Sequence, residues 1–86
     1  MPYALVIKKQ AKKFLENLSK TERIKIVEKI ILLGNNPDDP RLDIKKLIAQ
    51  AFYRLRVGNW RIVFDRNDQI KIISIEKIKS RGDIYK

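Results

Sequence analysis

The sequence predicts an α+β fold in which a twisted antiparallel sheet packs on one face against a hairpin of two helices. Apolar residues recur with the period of a helix between residues 9 and 34, and they alternate with polar residues from residue 52 onwards. A proline-containing loop separates the two regions. A chain of 86 residues suffices for one small domain, so residues 1–86 are assigned to a single domain with the element order β-αα-βββ.

The first strand and the first helix are predicted from the segment YALVIKKQAKKFLENL. Residues 3–8 are apolar enough for a short strand. Apolar side chains then fall at positions i, i+3, i+4 and i+7, which is one face of a helix, while lysines occupy the other face. The apolar positions are Ala11, Phe14, Leu15 and Leu18.

A second helix is predicted to begin at Ser19. This serine is followed three residues later by Glu22, which matches a capping box. A second apolar stripe of the same period follows and ends at Gly34. Its members are Ile24, Val27, Ile30 and Ile31. The two helices together form an αα-hairpin.

The rest of the chain is predicted to be a loop followed by strands. Residues 35–43, NNPDDPRLD, form the loop because prolines and Asx residues favour turns. Residues 44–52 fit either a helical turn or an edge strand. The strands 52–57 and 60–66 flank a two-residue turn at Gly58 and Asn59. A further turn near residues 65–68 leads to the last strand, 69–78.

The hairpin YRLRVGNWRIVF places arginines opposite one another. With Gly58 and Asn59 as the loop, Arg56 faces Arg61. Side chains alternate along a strand, so Arg54, Arg56 and Arg61 share one face, and the other face is apolar. Like charges directly opposite each other destabilise a hairpin by about 0.2–1 kcal/mol per pair. The residues expected to be mostly buried are Tyr53, Leu55, Trp60, Ile62, Phe64, Phe14, Leu15 and Ile30.

Two interpretations of this arginine face remain open. It is either a solvated strand face that is rich in arginine by chance, or a phosphate-binding surface. The planar guanidinium suits phosphate oxygens, so a bound anion would relieve the repulsion. The basic C-terminal group is likewise either a solvated tail or part of the same surface, where a tyrosine would stack on a base. This group comprises Lys77, Lys79, Arg81, Tyr85 and Lys86.

Composition limits the chemistry and the partners. The net charge of +10 predicts an anionic partner, which is a nucleic acid, an anionic membrane surface or an acidic protein. The chain has no cysteine and no histidine, so the usual zinc ligands and the histidine general base are missing, and no metal or cofactor is expected. No segment approaches the roughly 18 apolar residues of a membrane span, and the N-terminus lacks the features of a signal peptide. A cytoplasmic location without a membrane partner is therefore expected.

The run YRLRVGNWRIVF and the ending SRGDIY resemble the RelE/ParE superfamily of toxins from bacterial and archaeal toxin–antitoxin pairs. The first is similar to the family's Y-R-hydrophobic-R-hydrophobic-G-[DN]-[YW]-R run. The second is similar to its H-R-x-[DE]-[VI]-Y ending, which lies about twenty residues downstream. The resemblance covers nearly the whole chain, and the family's element order agrees with the order predicted above.

The resemblance implies a metal-free endoribonuclease. Members similar to RelE cleave mRNA in the ribosomal A site, where the ribose 2′-hydroxyl attacks the adjacent phosphate and leaves a cyclic phosphate and a free 5′-hydroxyl. Arg61, Arg81 and Tyr85 match family residues, while Arg54 and Arg56 stand where the best-known RelE branch has lysines. The expected catalytic residues are Arg56, Arg61, Arg81 and Tyr85. The expected RNA-binding residues are Arg54, Lys45, Lys46, Lys77 and Lys79.

Two departures from the family pattern affect the expected mechanism. Ser80 stands where many relatives have histidine, so no imidazole can transfer protons. Arg56 is not a conventional general base, because a guanidinium stays protonated. Catalysis is therefore expected to rest mainly on electrostatic stabilisation of the transition state. Proton exchange would fall to Lys79 or Tyr85, provided that the surrounding cations make the group more acidic.

Three functions fit these features. The first is a ribosome-dependent mRNA endonuclease, the second is an inhibitor of DNA gyrase similar to the ParE branch, and the third is an RNA-binding module without catalytic activity. The resemblance implies a cognate antitoxin in all three cases. An acidic, amphipathic segment of that antitoxin is expected to wrap the basic surface.

Overall fold

The computed structural model describes residues 2–47 and 51–80, and it confirms the predicted α+β class. The elements are β1 (Ala4–Ile7), α1 (Lys9–Glu16), α2 (Lys20–Asn35), β2 (Asp43–Lys46), β3 (Tyr53–Val57), β4 (Trp60–Asn67) and β5 (Ile72–Ser80). The segment that fitted either a helical turn or an edge strand contains β2. The predicted β-αα-βββ order is therefore confirmed, with β2 as an additional strand before the last three.

The five strands form one sheet in the order β1-β5-β4-β3-β2. Strands β2 to β5 are antiparallel neighbours, whereas β1 pairs with β5 in parallel. The sheet is therefore mixed rather than wholly antiparallel. Helix α2 ends beside the start of β1, where the Tyr3 N–H donates to the Gly34 carbonyl at 2.7 Å. The loop after α2 then leads to the opposite end of the sheet, so β2 runs against β1. The alternating meander that follows then brings β5 parallel to β1.

The hairpin of β3 and β4 has the predicted register. Gly58 and Asn59 form the loop, and Val57 pairs with Trp60 next to it. Gly58 has a φ of 57°. This positive φ costs glycine little, because glycine lacks a Cβ atom. A type II′ turn requires a positive φ at its first loop position. The two strands therefore present their side chains to the faces that the sequence predicted.

The apolar face of the hairpin packs against the helices as predicted. Its buried members are Leu55, Val57, Ile62 and Phe64, and Ile30 of α2 belongs to the same buried core. Four residues that were expected to be mostly buried are only half-buried against this core. They are Tyr53 and Trp60 of the hairpin and Phe14 and Leu15 of α1. One ring pair joins the sheet to α1, where Trp60 meets Phe14 edge-on with ring centroids 5.5 Å apart. Within the sheet, Tyr53 stacks on Phe64, also at 5.5 Å.

The buried side of α2 differs from the predicted stripe. Ile26, Ile30 and Leu33 are buried, whereas Ile24 and Ile31 are 47% and 53% exposed. The prediction was wrong for the last two because apolar residues surround most of α2, and periodicity alone does not select the side that the sheet covers. Neither helix of the described ranges is long and apolar enough to cross a membrane.

Gly34 lies on the side of α2 that meets β1. A Cβ atom at this position would lie 3.0 Å from the Cδ1 and Cγ atoms of Leu5. The glycine therefore permits a close approach between helix and strand. The predicted apolar stripe ends at this glycine, and α2 itself ends one residue later, at Asn35.

The start of α2 shows half of the predicted capping box. The Ser19 hydroxyl oxygen accepts a hydrogen bond from the backbone N–H of Glu22 at 3.3 Å, as an N-cap should. The carboxylate of Glu22 has a different partner, because it accepts a hydrogen bond from the indole Nε1–H of Trp60 at 3.0 Å. Glu22 therefore connects the first turn of α2 to β4.

A polar network closes the far end of the sheet around Arg66. Its guanidinium donates to Asp68 on the β4–β5 turn at 2.9 Å and to Asp38 on the loop after α2 at 3.1 Å. The hydroxyl of Tyr3 also donates to Asp68, at 2.9 Å. Hydrogen bonds from Arg66 and then from Tyr3 hold the pKa of Asp68 below its ordinary value. The network ties three separate parts of the chain together.

Stability should fall in acid between about pH 4 and pH 2. The Arg41 guanidinium lowers the pKa of Asp39 from 3.8 to about 2, and the pKa of Asp68 is lowered too. A carboxyl group with a depressed pKa in the folded state stabilises the fold above its unfolded pKa and loses that contribution as the pH falls through its folded pKa. Melting temperatures measured by circular dichroism from pH 7 to pH 2 check this. A melting temperature that is constant down to pH 2 would contradict it.

Candidate nucleic-acid interface

The face of the sheet that the helices leave uncovered, called the open face below, carries the predicted arginines. Two rows of register partners cross it from β2 to β5. The first row comprises Asp43, Arg56, Arg61 and Lys79. The second row comprises Lys45, Arg54, Val63 and Lys77. Cations therefore face cations across neighbouring strands, where side chains are close enough to repel one another.

Arg61 occupies the centre of the first row, on the central strand of the sheet. It is only 2% exposed, although its register partners Arg56 and Lys79 are both cations. Its Nη1 donates to the Trp60 carbonyl at 3.5 Å, and its buried Nε has no hydrogen-bond partner among the described residues. The charge of Arg61 therefore has no carboxylate counter-ion among the described residues. A buried charge without a carboxylate partner is unfavourable.

Arg54 has a partner that the sequence did not single out. Its Nη2 lies 3.5 Å from Oδ1 of Asp43, on the neighbouring edge strand. Its Nε is buried and, within residues 2–47 and 51–80, makes no hydrogen bond. One carboxylate thus offsets part of the repulsion on a face with six cations. These are Lys45, Arg54, Arg56, Arg61, Lys77 and Lys79.

The structure brings most of the predicted site residues together, but not all of them. The six cations of the open face were all predicted. Lys46 lies apart, because it pairs with Tyr53 in register and so belongs to the helix side of the sheet. There it borders a cavity near Pro37 and Arg66. Arg81 and Tyr85 lie outside the described residues, so their predicted roles stay predictions.

A shallow groove of about 420 Å³ opens on the open face beside the rows. Its apolar lining residues are Leu47, Phe52 and Val63, and its charged ones are Arg54, Glu76, Lys77 and Lys79. The backbone N–H of Leu47 donates to the Phe52 carbonyl at 3.0 Å, which holds the two side chains near each other. Phe52 was not predicted as a residue of this face. Its parity with Arg54 and Arg56 was the signal that could have found it.

Glu76 reaches the groove through a β-bulge in β5. Phe64 pairs with Ile75, and the preceding residue Val63 pairs with Lys77, so Glu76 has no register partner on β4. The spacing of two isoleucines in the sequence indicates this bulge. Ile75 and Ile78 are both buried but lie three residues apart, whereas a regular strand returns to the same face every second residue.

The open face offers fixed positive charge rather than conventional acid–base groups. Arginine forks and lysine ammonium groups bind phosphate oxygens and stabilise negative charge that develops during a reaction. In the part of the chain that the structure describes, no three acidic side chains come together as ligands for a metal ion. The chemistry available to these residues is therefore binding and polarisation of an anionic substrate.

Comparison with known proteins places this chain in a family. Residues 5–85 match the family described as the ParE toxin of the type II toxin–antitoxin system parDE. The chain is also 33% identical over 81 residues to toxin RelE3 of Methanocaldococcus jannaschii, which spans 87% of this chain and 90% of that protein. The chain belongs to the RelE/ParE superfamily of toxins. The resemblance inferred from the arginine hairpin and the chain ending is confirmed.

Solved structures of RelE/ParE superfamily members share the whole architecture. The archaeal RelE–RelB complex from Pyrococcus horikoshii matches with a TM-score of 0.82 and 32% identity over 95% of this chain and 98% of the other. The RelB–RelE antitoxin–toxin complex from Methanococcus jannaschii matches with a TM-score of 0.75 and 29% identity over 93% and 94%. This chain therefore shares its fold with these RelE proteins over nearly its whole length.

Proposed function

We propose that this toxin cleaves mRNA on the ribosome without a metal ion. In this reaction the ribose 2′-oxygen attacks the adjacent phosphorus and loses its proton. The bond from phosphorus to the 5′-oxygen breaks, and that oxygen gains a proton. The products are a cyclic phosphate and a free 5′-hydroxyl. Because no histidine is present, electrostatic stabilisation carries most of the rate enhancement, and the ribosome contributes by orienting the mRNA.

The observation that carries this proposal is the buried, incompletely bonded Arg61 between two other cations. A sequence selected for stability alone would place a carboxylate or a neutral residue there. A phosphate group provides the missing acceptor oxygens for its guanidinium and relieves the repulsion from Arg56 and Lys79. Arg61 holds the scissile phosphate in this proposal, and it stabilises the extra negative charge of the transition state.

The other predicted residues have supporting roles in the proposed reaction. Arg56 neighbours Arg61 in register and contacts the same phosphate or the next one. Arg81 and Tyr85 complete the catalytic group in the way the family resemblance implies. The RNA backbone on either side is bound by the remaining cations of the open face, which are Arg54, Lys45, Lys77 and Lys79.

The proposed protein partner is a cognate antitoxin. Two structures similar to this chain are complexes with RelB, which supports a partner of this kind. The net charge of +10 and the six cations of the open face favour an acidic segment. Such a segment would cover Arg61 and its neighbours, and it would block the RNA that binds there.

Inhibition of DNA gyrase is the second candidate function. The matched family is described by its ParE member, and arginines at positions 54 and 56 also suit that branch. The two candidates differ in what they contact. Cleavage needs a phosphate at Arg61, whereas a gyrase inhibitor needs only a protein surface that complements the cations.

One experiment separates these functions. The toxin is expressed from a tightly controlled promoter, and new 5′ ends are mapped on a translated mRNA and on the same transcript without its initiation codon. Cuts on the translated transcript alone support the proposal, whereas cuts on both show a nuclease that does not need the ribosome. A parallel supercoiling assay detects inhibition of gyrase. Gyrase inhibition without any cuts would overturn the proposal in favour of the ParE-like function.

Binding of single-stranded RNA should depend strongly on salt. With about four phosphates contacted, the slope of log K against log salt should be near −3, because counterions are released from the RNA. Fluorescence titrations between low and physiological salt measure the slope. A slope near zero would count against a nucleic acid as the partner. Strong binding with this slope but without cleavage would indicate the non-catalytic RNA-binding module.

A further inference from the structure

The bulge in β5 places the carboxylate of Glu76 among cations on the face that is proposed to bind RNA phosphates. Glu76 lines the groove together with Arg54, Lys77 and Lys79. It is half-buried, and it makes no hydrogen bond or ion pair with any of these cations among the described residues. A negative charge at this place weakens the attraction for phosphate. A carboxylate that lines the groove with three cations, and pairs with none of them in the described ranges, suggests a role other than charge balance.

The rest of the groove has the properties of a site for a flat, partly apolar ligand. Leu47, Phe52 and Val63 supply the apolar lining, and the volume of about 420 Å³ lies in the usual range for small ligand sites. No other aromatic ring of the described ranges packs on the ring of Phe52. Proteins bind unpaired RNA bases by stacking them on such rings and by hydrogen bonding to their edges. The surrounding cations suit the phosphates on either side of a base.

We infer that this groove holds one unstacked RNA base and that Glu76 selects the base by its hydrogen-bond donors. This inference rests on the proposed function, since it assumes that RNA lies on the open face. A carboxylate only accepts hydrogen bonds. Guanine presents two neighbouring donors, N1–H and N2–H, to its two oxygens, and cytosine and adenine each present one amino group. Uracil presents its single N–H between two carbonyl oxygens, which the carboxylate repels. The site therefore favours guanine and disfavours uracil.

The test measures base preference without any cleavage. The probes are fluorescently labelled RNA hexamers with a 2′-O-methyl group on every ribose, which removes the attacking hydroxyl. One probe is hexauridylate, and the other contains a single central guanosine. The full-length toxin should bind the guanosine probe about fivefold more tightly or better. Glu76→Gln should reduce this ratio to below about twofold, because the carboxamide matches both bases with one donor and one acceptor.

Asp65→Asn is the matched control for charge. Asp65 lies on the open face of β4, in register with Ser74, and does not line the groove. Both variants remove one negative charge, so Asp65→Asn should raise the affinity for the two probes by the same factor, whereas Glu76→Gln should raise it mainly for hexauridylate. Only Glu76→Gln should change the ratio between probes. Phe52→Leu should weaken both probes about fivefold and keep the ratio, because stacking is tolerant of base identity.

Three results would overturn the inference. The first is equal binding of both probes by the original chain, which leaves the proposed function standing because RNA still binds. The second is an unchanged guanosine preference in Glu76→Gln with an unaltered melting temperature, which assigns the preference to another group. The third is a failure to bind either probe at low salt, which counts against the proposed function as well.

Discussion

Replacing Arg61 by methionine should abolish toxicity and raise the melting temperature at the same time. The substitution keeps an apolar stem of similar length in a site that is only 2% exposed, and it removes a buried charge that has no carboxylate partner within residues 2–47 and 51–80. An unsatisfied buried group costs about 1–3 kcal/mol, and the repulsion from Arg56 and Lys79 disappears too. Losing one donor to the transition state should lower the cleavage rate by roughly 10²–10³. Arg61→Ala should show the same loss of toxicity, but the cavity it leaves cancels part of the gain in stability.

The control for this prediction is Arg66→Met on the same strand. Arg66 is also largely buried, with a side chain that is 16% exposed, but it is fully engaged with Asp38 and Asp68. Its replacement leaves Asp38 and Asp68 without their cationic partner, so the melting temperature should fall. Growth assays without antitoxin and thermal unfolding measure both variants. Full toxicity of Arg61→Met would refute the catalytic role. Loss of toxicity through unfolding would favour the other interpretation of the arginine face, in which it is rich in arginine by chance.

Replacing Phe64 by alanine should cost about 3–5 kcal/mol of unfolding free energy. The side chain is completely buried at the centre of the core and stacks on Tyr53. A domain of 86 residues has a total stability of roughly 4–13 kcal/mol, so this single change removes a large part of it. The midpoint of urea unfolding gives the measurement. The variant should lose toxicity only because a large fraction of the molecules is unfolded.

Ile70→Ala is the control for this second prediction. Ile70 lies in the β4–β5 turn and is 63% exposed, so its truncation should change the stability by less than about 0.5 kcal/mol. A loss below about 1 kcal/mol for Phe64→Ala would show that the core refills the cavity. Phe64 and Arg61 lie three residues apart on one strand but on opposite faces. Their expected effects on stability therefore have opposite signs.

The sequence was most informative where local rules act alone. The hairpin register followed from Gly58 and from strict alternation, both of which depend on only a few neighbouring residues. The buried side of α2 and the direction of β1 did not follow. Ile24 and Ile26 are chemically alike, and only the position of the sheet decides which of them is buried. The parallel pairing of β1 with β5 depends on the number of strands that follow β1. The sequence left open whether residues 44–52 contain one of these strands.

The candidate site divides in the same way. The six cations of the open face were all named as candidate site residues, but strand parity placed only Arg54, Arg56 and Arg61 on one face. Asp43 was missed because it belongs to a strand that the sequence did not assign, and Glu76 was missed because a bulge interrupts the alternation. The burial of Arg61 depends on its central place in the sheet and on the packing around it, which no local pattern encodes.

The rows of facing cations give salt two opposite effects on this toxin. Added ions screen the repulsion along the row through Arg56, Arg61 and Lys79, so they stabilise the free protein. The same ions compete with the protein for RNA phosphates and weaken the complex. A bound polyanion also stabilises the folded protein, but it does so by binding to the folded state rather than by screening charges. The free protein is therefore least stable at low salt. Its binding to RNA is tightest at the same low salt concentration.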